Sequence, residues 1–127
     1  MKEDFVSLEI AKLLKEKGFD WGCYKVYNTE GVVGISTTTE EVPINYKNIE
    51  YYFLCPTQQM TMKWLREVHK LHILIDAHES YAYESKIVFI WYVWNLNTHK
   101  KFTIINYSET FEQTCENAIM YCLTNLI

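Results

Sequence analysis

Residues 87–94 read IVFIWYVW, eight apolar side chains without a polar interruption. The run is too short to cross a bilayer as a helix, which takes about 20 residues. Its β-branched and aromatic content predicts a strand. A strand that is covered on one face alternates apolar and polar residues, and this one does not. We therefore expect both of its faces to be covered, the second by another layer, a partner subunit or a ligand.

Length and charge limit the class of protein. The chain has 127 residues, 49% of them hydrophobic, which predicts one globular domain, 1–127. A net charge of −4 argues against a general binder of nucleic acid or anionic membranes. Residues 1–5 lack the basic and apolar regions of a signal peptide, and no apolar stretch has transmembrane length. We therefore expect a cytoplasmic protein with no membrane partner.

Apolar residues at helical spacing predict three helices, each preceded by a capping side chain. They are residues 8–17 after Ser7, residues 58–70 after Thr57, and a C-terminal helix after Thr110. Gly18 follows the first helix, where positive φ ends a helix, and Thr110 with Gln113 matches a capping box.

Turn residues and β-forming runs predict six strands. They are residues 23–27, 32–35, 49–54, 72–77, 86–95 and 101–107. The first two form a hairpin, residues 36–48 read as a loop, and short links favour an antiparallel meander of the last three with 86–95 at its centre. The order α-β-β-β-α-β-β-β-α predicts an α+β fold, a mainly antiparallel sheet with three helices packed on one face.

Three segments carry a resemblance to other sequences. They are residues 7–19, residues 56–60 with 63–69, and the closing residues 118–119 through 125–127. Together they resemble short uncharacterised proteins of phage, prophage and mobile elements in anaerobic gut bacteria. The resemblance covers about half of the chain and implies no known activity, cofactor or catalytic residue. It implies a small accessory protein of a mobile element.

One group of residues has the chemistry of a metal site. His69, His72, Asp76 and His78 offer imidazoles and a carboxylate, which suit zinc. The alternative is structural: residues 72, 76 and 78 share one face of an edge strand, and a protonated His69 favours a helix C-terminus. Because this spacing does not by itself make the ligands converge, we expect no metal and no cofactor.

The four cysteines, at positions 23, 55, 115 and 122, contain no C-x-x-C pair. Cys55 precedes a helix N-terminus, where the dipole favours a thiolate nucleophile, but it also fits the end of a buried strand. Cys115 and Cys122 lie seven residues apart on one helix face and read as core. We therefore expect buried thiols and no catalytic residue.

Two further patterns suggest binding surfaces. Lys63, Arg66 and Lys70 form a basic stripe beside Trp64, which could contact phosphates and bases or could be a solvated helix face. The aromatic side chains of Tyr81, Tyr83, Tyr92 and Trp94 could form an exposed patch, which usually marks an interface, or could be covered within the chain.

The leading hypothesis is a small non-enzymatic interaction module of a mobile element or prophage, whose partner is itself or another protein. One alternative is a nucleic-acid accessory factor that uses the basic stripe. The other is a small metal- or cysteine-dependent enzyme.

Overall fold

A computed structural model describes residues 4–22, 25–28, 33–35, 52–80, 86–104 and 108–127, and for 33–35 it describes the backbone alone. Contacts between residues divide the chain into two compact units, Met1–Trp64 and Leu65–Ile127. The expected single domain, 1–127, stays a prediction. None of the described helices is long and apolar enough to cross a membrane.

The first unit contains a helix and a three-stranded antiparallel sheet. Its elements are α1 (Leu8–Glu16), β1 (Lys25–Asn28), β2 (Val33–Ile35) and β3 (Tyr52–Leu54), followed by the start of α2 (Gln58–Val68). The sheet has the order β2-β1-β3. The predicted hairpin is confirmed, because Val26 pairs with Gly34, and the other edge of β1 pairs with β3 through Leu54. The predicted loop at 36–48 lies outside the described residues.

Both ends of α1 form as the sequence predicts. Ser7 caps the first turn, because its Oγ accepts the Ile10 amide at 3.3 Å. Gly18 has a φ of +86°, and it places its amide on the Lys15 carbonyl at 3.2 Å. The Phe19 amide then donates to the Leu14 carbonyl at 2.9 Å, which completes a Schellman motif. Thr57 caps α2 in the same way, through the Met60 amide at 3.1 Å.

Aromatic packing anchors the core of the first unit. The rings of Phe19 and Trp64 meet edge to face with centroids 5.3 Å apart, and both are about 2% exposed. Trp64 therefore points inward. The other buried apolar residues are Val6, Ile10, Ala11, Leu14, Val26, Leu54 and Cys55.

The second unit contains the apolar stretch of the opening. Its elements are the end of α2, β4 (Leu71–Ser80), β5 (Lys86–Asn95), β6 (Lys101–Phe102), α3 (Phe111–Tyr121) and a π-helical segment (Cys122–Leu126). The sheet is antiparallel with the order β4-β5-β6, so β5 is central as predicted. The N-cap of α3 is also confirmed, because the Thr110 Oγ1 accepts the Gln113 amide at 3.1 Å.

Two strands end three or more residues from their predicted ends. β4 pairs with β5 through Ser80, three residues beyond the predicted end at 77, because its solvent-facing polar residues weaken the sequence signal. β6 ends at Phe102 instead of 107, and residues 105–107 lie outside the described part of the chain. Thr103 uses its side chain instead, donating from Oγ1 to the Trp91 carbonyl at 2.9 Å.

The α+β class and the element order are confirmed. The sequence predicts one sheet, whereas the described strands form two three-stranded sheets, because β3 pairs with β1 and not with the later strands. The expectation that both faces of β5 are covered holds in the middle of the strand and not at its ends. Trp91 and Val93 are buried on one face, and Val88 and Ile90 are buried on the other.

Candidate interaction surface

The sheet of the second unit has one face that α3 covers. Odd-numbered residues of β5 point to this side, where Phe89 meets Phe111 at 6.1 Å and Trp91 meets Tyr121 at 5.0 Å between ring centroids. α3 therefore supplies the aromatic partners of this face. We call it the α3 face.

The opposite face carries the aromatic residues of the predicted interface. The strand register places His72 opposite Trp94, and Leu74 opposite Tyr92. Lys101 of β6 pairs with Trp94 from the other side. These five residues form what we call the aromatic face. Leu74 is 44% exposed, while Tyr92 and Trp94 are half-buried.

A cation lies over the rings of the aromatic face. The Lys101 Nζ is 4.2 Å from the centroid of the Tyr92 ring and 5.6 Å from that of Trp94. Both distances are within the range of a cation–π interaction. The aromatic face thus combines exposed apolar surface with one positive charge. Tyr81 and Tyr83, which the sequence adds to this interface, lie outside the described residues.

The residues with the chemistry of a metal site do not converge. His72, Asp76 and His78 lie on one face of β4, as their parity predicts, and Asp76 and His78 are exposed. Within the described ranges, no group of three or more histidine, cysteine or acidic residues could hold a metal ion. Burial lowers the pKa of the His69 imidazole and favours its neutral form, which weakens the interpretation of a protonated His69 at the helix C-terminus.

The described cysteines occupy structural positions. Cys55 is fully buried after β3, where its Sγ donates to the Val6 carbonyl at 3.6 Å and its amide donates to the Lys25 carbonyl at 2.9 Å. Cys115 and Cys122 are buried in the second unit, as predicted. Burial raises the pKa of the Cys122 thiol to about 12, which suppresses the nucleophilic thiolate. Cys23 lies outside the described residues.

The basic stripe is only partly available. Lys63 and Arg66 are exposed on α2. Lys70 follows the helix with a φ of +59°, and its Nζ donates to the Glu67 carbonyl at 2.9 Å, so its charge stabilises the helix C-terminus. Trp64 is buried and offers no ring for base stacking. The stripe therefore consists of the two exposed cations Lys63 and Arg66, and the buried Trp64 does not add an aromatic ring to it.

A shallow groove of about 250 Å³, which sequence reasoning missed, lies where α3 passes into the π-helical segment. Its apolar lining comes from Trp91, Ile104, Met120 and Tyr121. Polar groups at its rim bond locally: Asn117 Oδ1 accepts from Gln113, and Thr124 Oγ1 donates to the Met120 carbonyl. The polar groups of Asn117 and Thr124 therefore bond within their own helical segment and do not converge on the groove. Helical periodicity gives no signal for a π-helix, which explains the omission.

Comparisons of this chain with protein-family models, with curated proteins and with solved structures found no match.

Proposed function

We propose that this chain is a non-enzymatic protein-interaction module that self-associates through the aromatic face. The observation that carries the proposal is the surface of Leu74, Tyr92 and Trp94, which stays partly exposed on the side of the sheet away from α3. Tyrosine and tryptophan are favoured anchors of interfaces, because they bury a large apolar area and keep a polar group for hydrogen bonding.

The composition of the aromatic face supports a second copy as the partner. An interface with twofold symmetry needs a patch that is complementary to itself. Lys101 and Tyr92 are such a complementary pair, a cation and a ring, and both lie on this patch. In a symmetric dimer each copy would offer its cation to the rings of the other.

The two alternative functions receive less support. Trp64 is buried in the core, and the Lys70 Nζ donates to a carbonyl at the end of α2. Both facts weaken the case for a nucleic-acid surface on the basic stripe. Cys55 donates its thiol to a backbone carbonyl, and burial keeps Cys122 as a thiol. Both facts weaken the case for a cysteine-dependent enzyme. The mobile-element setting and a cytoplasmic location belong to the same proposal, and neighbouring genes in the source genome would test the setting.

The substitution Trp94→Glu tests the aromatic face. It places a carboxylate on the exposed apolar patch, so we expect the mass in sedimentation equilibrium to fall to half of the wild-type value or less. Ile87→Glu is the matched control, because Ile87 is 56% exposed on the same strand but belongs to the other face. We expect this control to keep the wild-type mass.

A wild-type protein that stays a single chain at high micromolar concentration would contradict the proposal. So would a Trp94→Glu variant that keeps the wild-type mass and a folded circular dichroism spectrum.

A further inference from the structure

β4 is an edge strand of the second sheet in the described part of the chain. In the order β4-β5-β6, β4 has β5 as its single neighbour among the described strands. The two strands pair through ten consecutive residues, from Leu71 opposite Asn95 to Ser80 opposite Lys86, without a bulge. A long and regular edge strand of this kind is a template for pairing with another strand.

The hydrogen bonds of β5 show which groups of β4 face outward. Phe89 and Ser108 exchange both backbone bonds, at 2.8 and 3.3 Å, and the Asn95 amide donates to the Lys100 carbonyl at 2.8 Å. Odd residues of β5 therefore bond on the β6 side, and its even residues bond to β4. Even residues of β5 pair with even residues of β4, so the even residues of β4 form the hydrogen bonds to β5. The odd residues of β4 therefore direct their N–H and C=O groups to the side away from β5.

The outer half of this edge is accessible. Leu71 and Ile73 are buried, but from Leu74 to Glu79 every residue is exposed except Ile75, which is half-buried. The backbone groups directed outward in this half belong to Ile75, Ala77 and Glu79.

We propose that a second copy of this chain pairs antiparallel with this edge of β4, with Ala77 of each copy at a twofold axis. The β4-β5-β6 sheets of the two copies then form one continuous six-stranded sheet. The inference goes beyond the proposed function, because it uses the edge of the sheet and not the aromatic face, and each contact can exist without the other.

Side-chain complementarity selects this register. With Ala77 at the axis, His78 of one copy lies directly opposite Asp76 of the other, so an imidazole N–H can donate to a carboxylate, and symmetry makes this pair twice. Shifting the axis by one residue places Asp76 against Asp76, where like charges directly opposite each other destabilise a sheet, or places His78 against His78, where the carboxylate partner is lost.

The backbone groups match the same register. Ala77 would exchange both hydrogen bonds with Ala77 of the second copy, and Ile75 would do so with Glu79, because odd residues supply the outward groups on both strands. The charged side chains of β4 normally protect an edge from pairing. Here the Asp76 carboxylate faces the His78 imidazole, which can hydrogen-bond to it, so these side chains permit this one register.

Ala77→Pro tests the edge without touching the β4–β5 ladder. Proline removes the outward N–H of residue 77 and is tolerated on edge strands. We expect Trp94→Glu to be a dimer that is held by the edge, and Trp94→Glu with Ala77→Pro to be a monomer in sedimentation equilibrium. Ala77→Val keeps the N–H and is the matched control, with no expected loss of mass.

A charge exchange tests the register. In the Trp94→Glu protein, His78→Glu sets two carboxylates opposite each other, so we expect the dimer held by the edge to weaken roughly tenfold. Adding Asp76→Lys sets a cation opposite a carboxylate in both pairs and should restore the affinity of the Trp94→Glu dimer. Both variants keep the backbone groups of the edge, so they test the inference even if the proline variant fails to fold.

Amide hydrogen exchange gives a direct readout. At concentrations where the dimer forms, we expect the amides of Ile75, Ala77 and Glu79 to be protected, and upon dilution they should exchange fast. The amides of Leu74, Asp76 and His78 bond to β5 and should stay protected in both states.

The outcomes separate this inference from the proposed function. Association that survives Trp94→Glu but not Ala77→Pro supports the edge alone. Association that survives Ala77→Pro and His78→Glu but not Trp94→Glu overturns the edge and leaves the aromatic face. A wild-type monomer at high concentration overturns both.

Discussion

Burial changes the chemistry of individual side chains in the second unit. Cys122 is 0% exposed, and loss of water around the thiolate raises its pKa to about 12. Burial also favours the neutral form of His69, and for an imidazole this means a lowered pKa. Spacing in the sequence predicts that Cys122 is buried. It cannot predict the protonation of either group, because that depends on how completely the folded chain covers them.

The raised pKa of Cys122 predicts a loss of stability at alkaline pH. The folded state keeps the proton that the unfolded state loses near pH 9, so the free energy of unfolding should fall as pH rises from about 9 to about 12. This group alone contributes a slope of at most about 1.4 kcal/mol per pH unit. Urea unfolding across this range should show a steeper decline for the wild type than for Cys122→Ala.

The other ionisable groups are the same in both proteins, so the difference between the two slopes isolates the thiol. Equal slopes would contradict the assigned environment of Cys122.

Among the helices and strands, local sequence signals predict the helix ends that depend only on residues nearby in the sequence. Ser7, Thr57 and Thr110 cap their helices as expected, since a cap needs only a side-chain oxygen and an amide two or three residues on. β6 and the π-helical segment differ from the prediction because tertiary contacts decide them. Thr103 leaves the ladder to bond the Trp91 carbonyl, which no local pattern reveals.

The C-terminus of α1 provides a test of backbone strain. Gly18 has a φ of +86°, and an added Cβ would meet no heavy atom within 4 Å, so the cost of Gly18→Ala comes from conformation and not from a clash. We expect a loss of about 1 kcal/mol in the free energy of unfolding. Gly18→Asn is the control and should lose less, because asparagine adopts positive φ more readily.

Urea denaturation of the three proteins measures this order of stability. An alanine variant as stable as the wild type would show that the Schellman motif does not hold the end of α1.

Across the whole molecule, strand pairing is the property that sequence reasoning resolves only in part. The central place of β5 follows from its apolar run and from short links to β4 and β6. The separate sheet of β1, β2 and β3 does not follow, because Tyr52–Leu54 reaches β1 across a long intervening segment. Tyr92 and Trp94 of the predicted interface share one face of the second sheet, whereas the outward backbone groups of β4 follow only from the hydrogen-bond alternation of the described strands.

Self-association predicts that stability depends on protein concentration. Binding of folded copies stabilises the folded state by mass action, so Tm should rise as the concentration increases from about 1 to about 100 μM. Differential scanning calorimetry at several concentrations measures the shift, and the doubly substituted Trp94→Glu, Ala77→Pro protein is the control. A Tm that is independent of concentration for the wild type would contradict both contacts.

The order of β5 and α3 along the chain also matters during synthesis. β4 can pair with β5 as soon as the hairpin leaves the ribosome, but the rings that cover Phe89 and Trp91 arrive only with Phe111 and Tyr121. At typical translation rates this interval lasts on the order of seconds. The nascent chain therefore displays an uncovered aromatic strand to chaperones and to other nascent chains, and the flanking residues Lys86, Lys100 and Lys101 oppose aggregation over that interval.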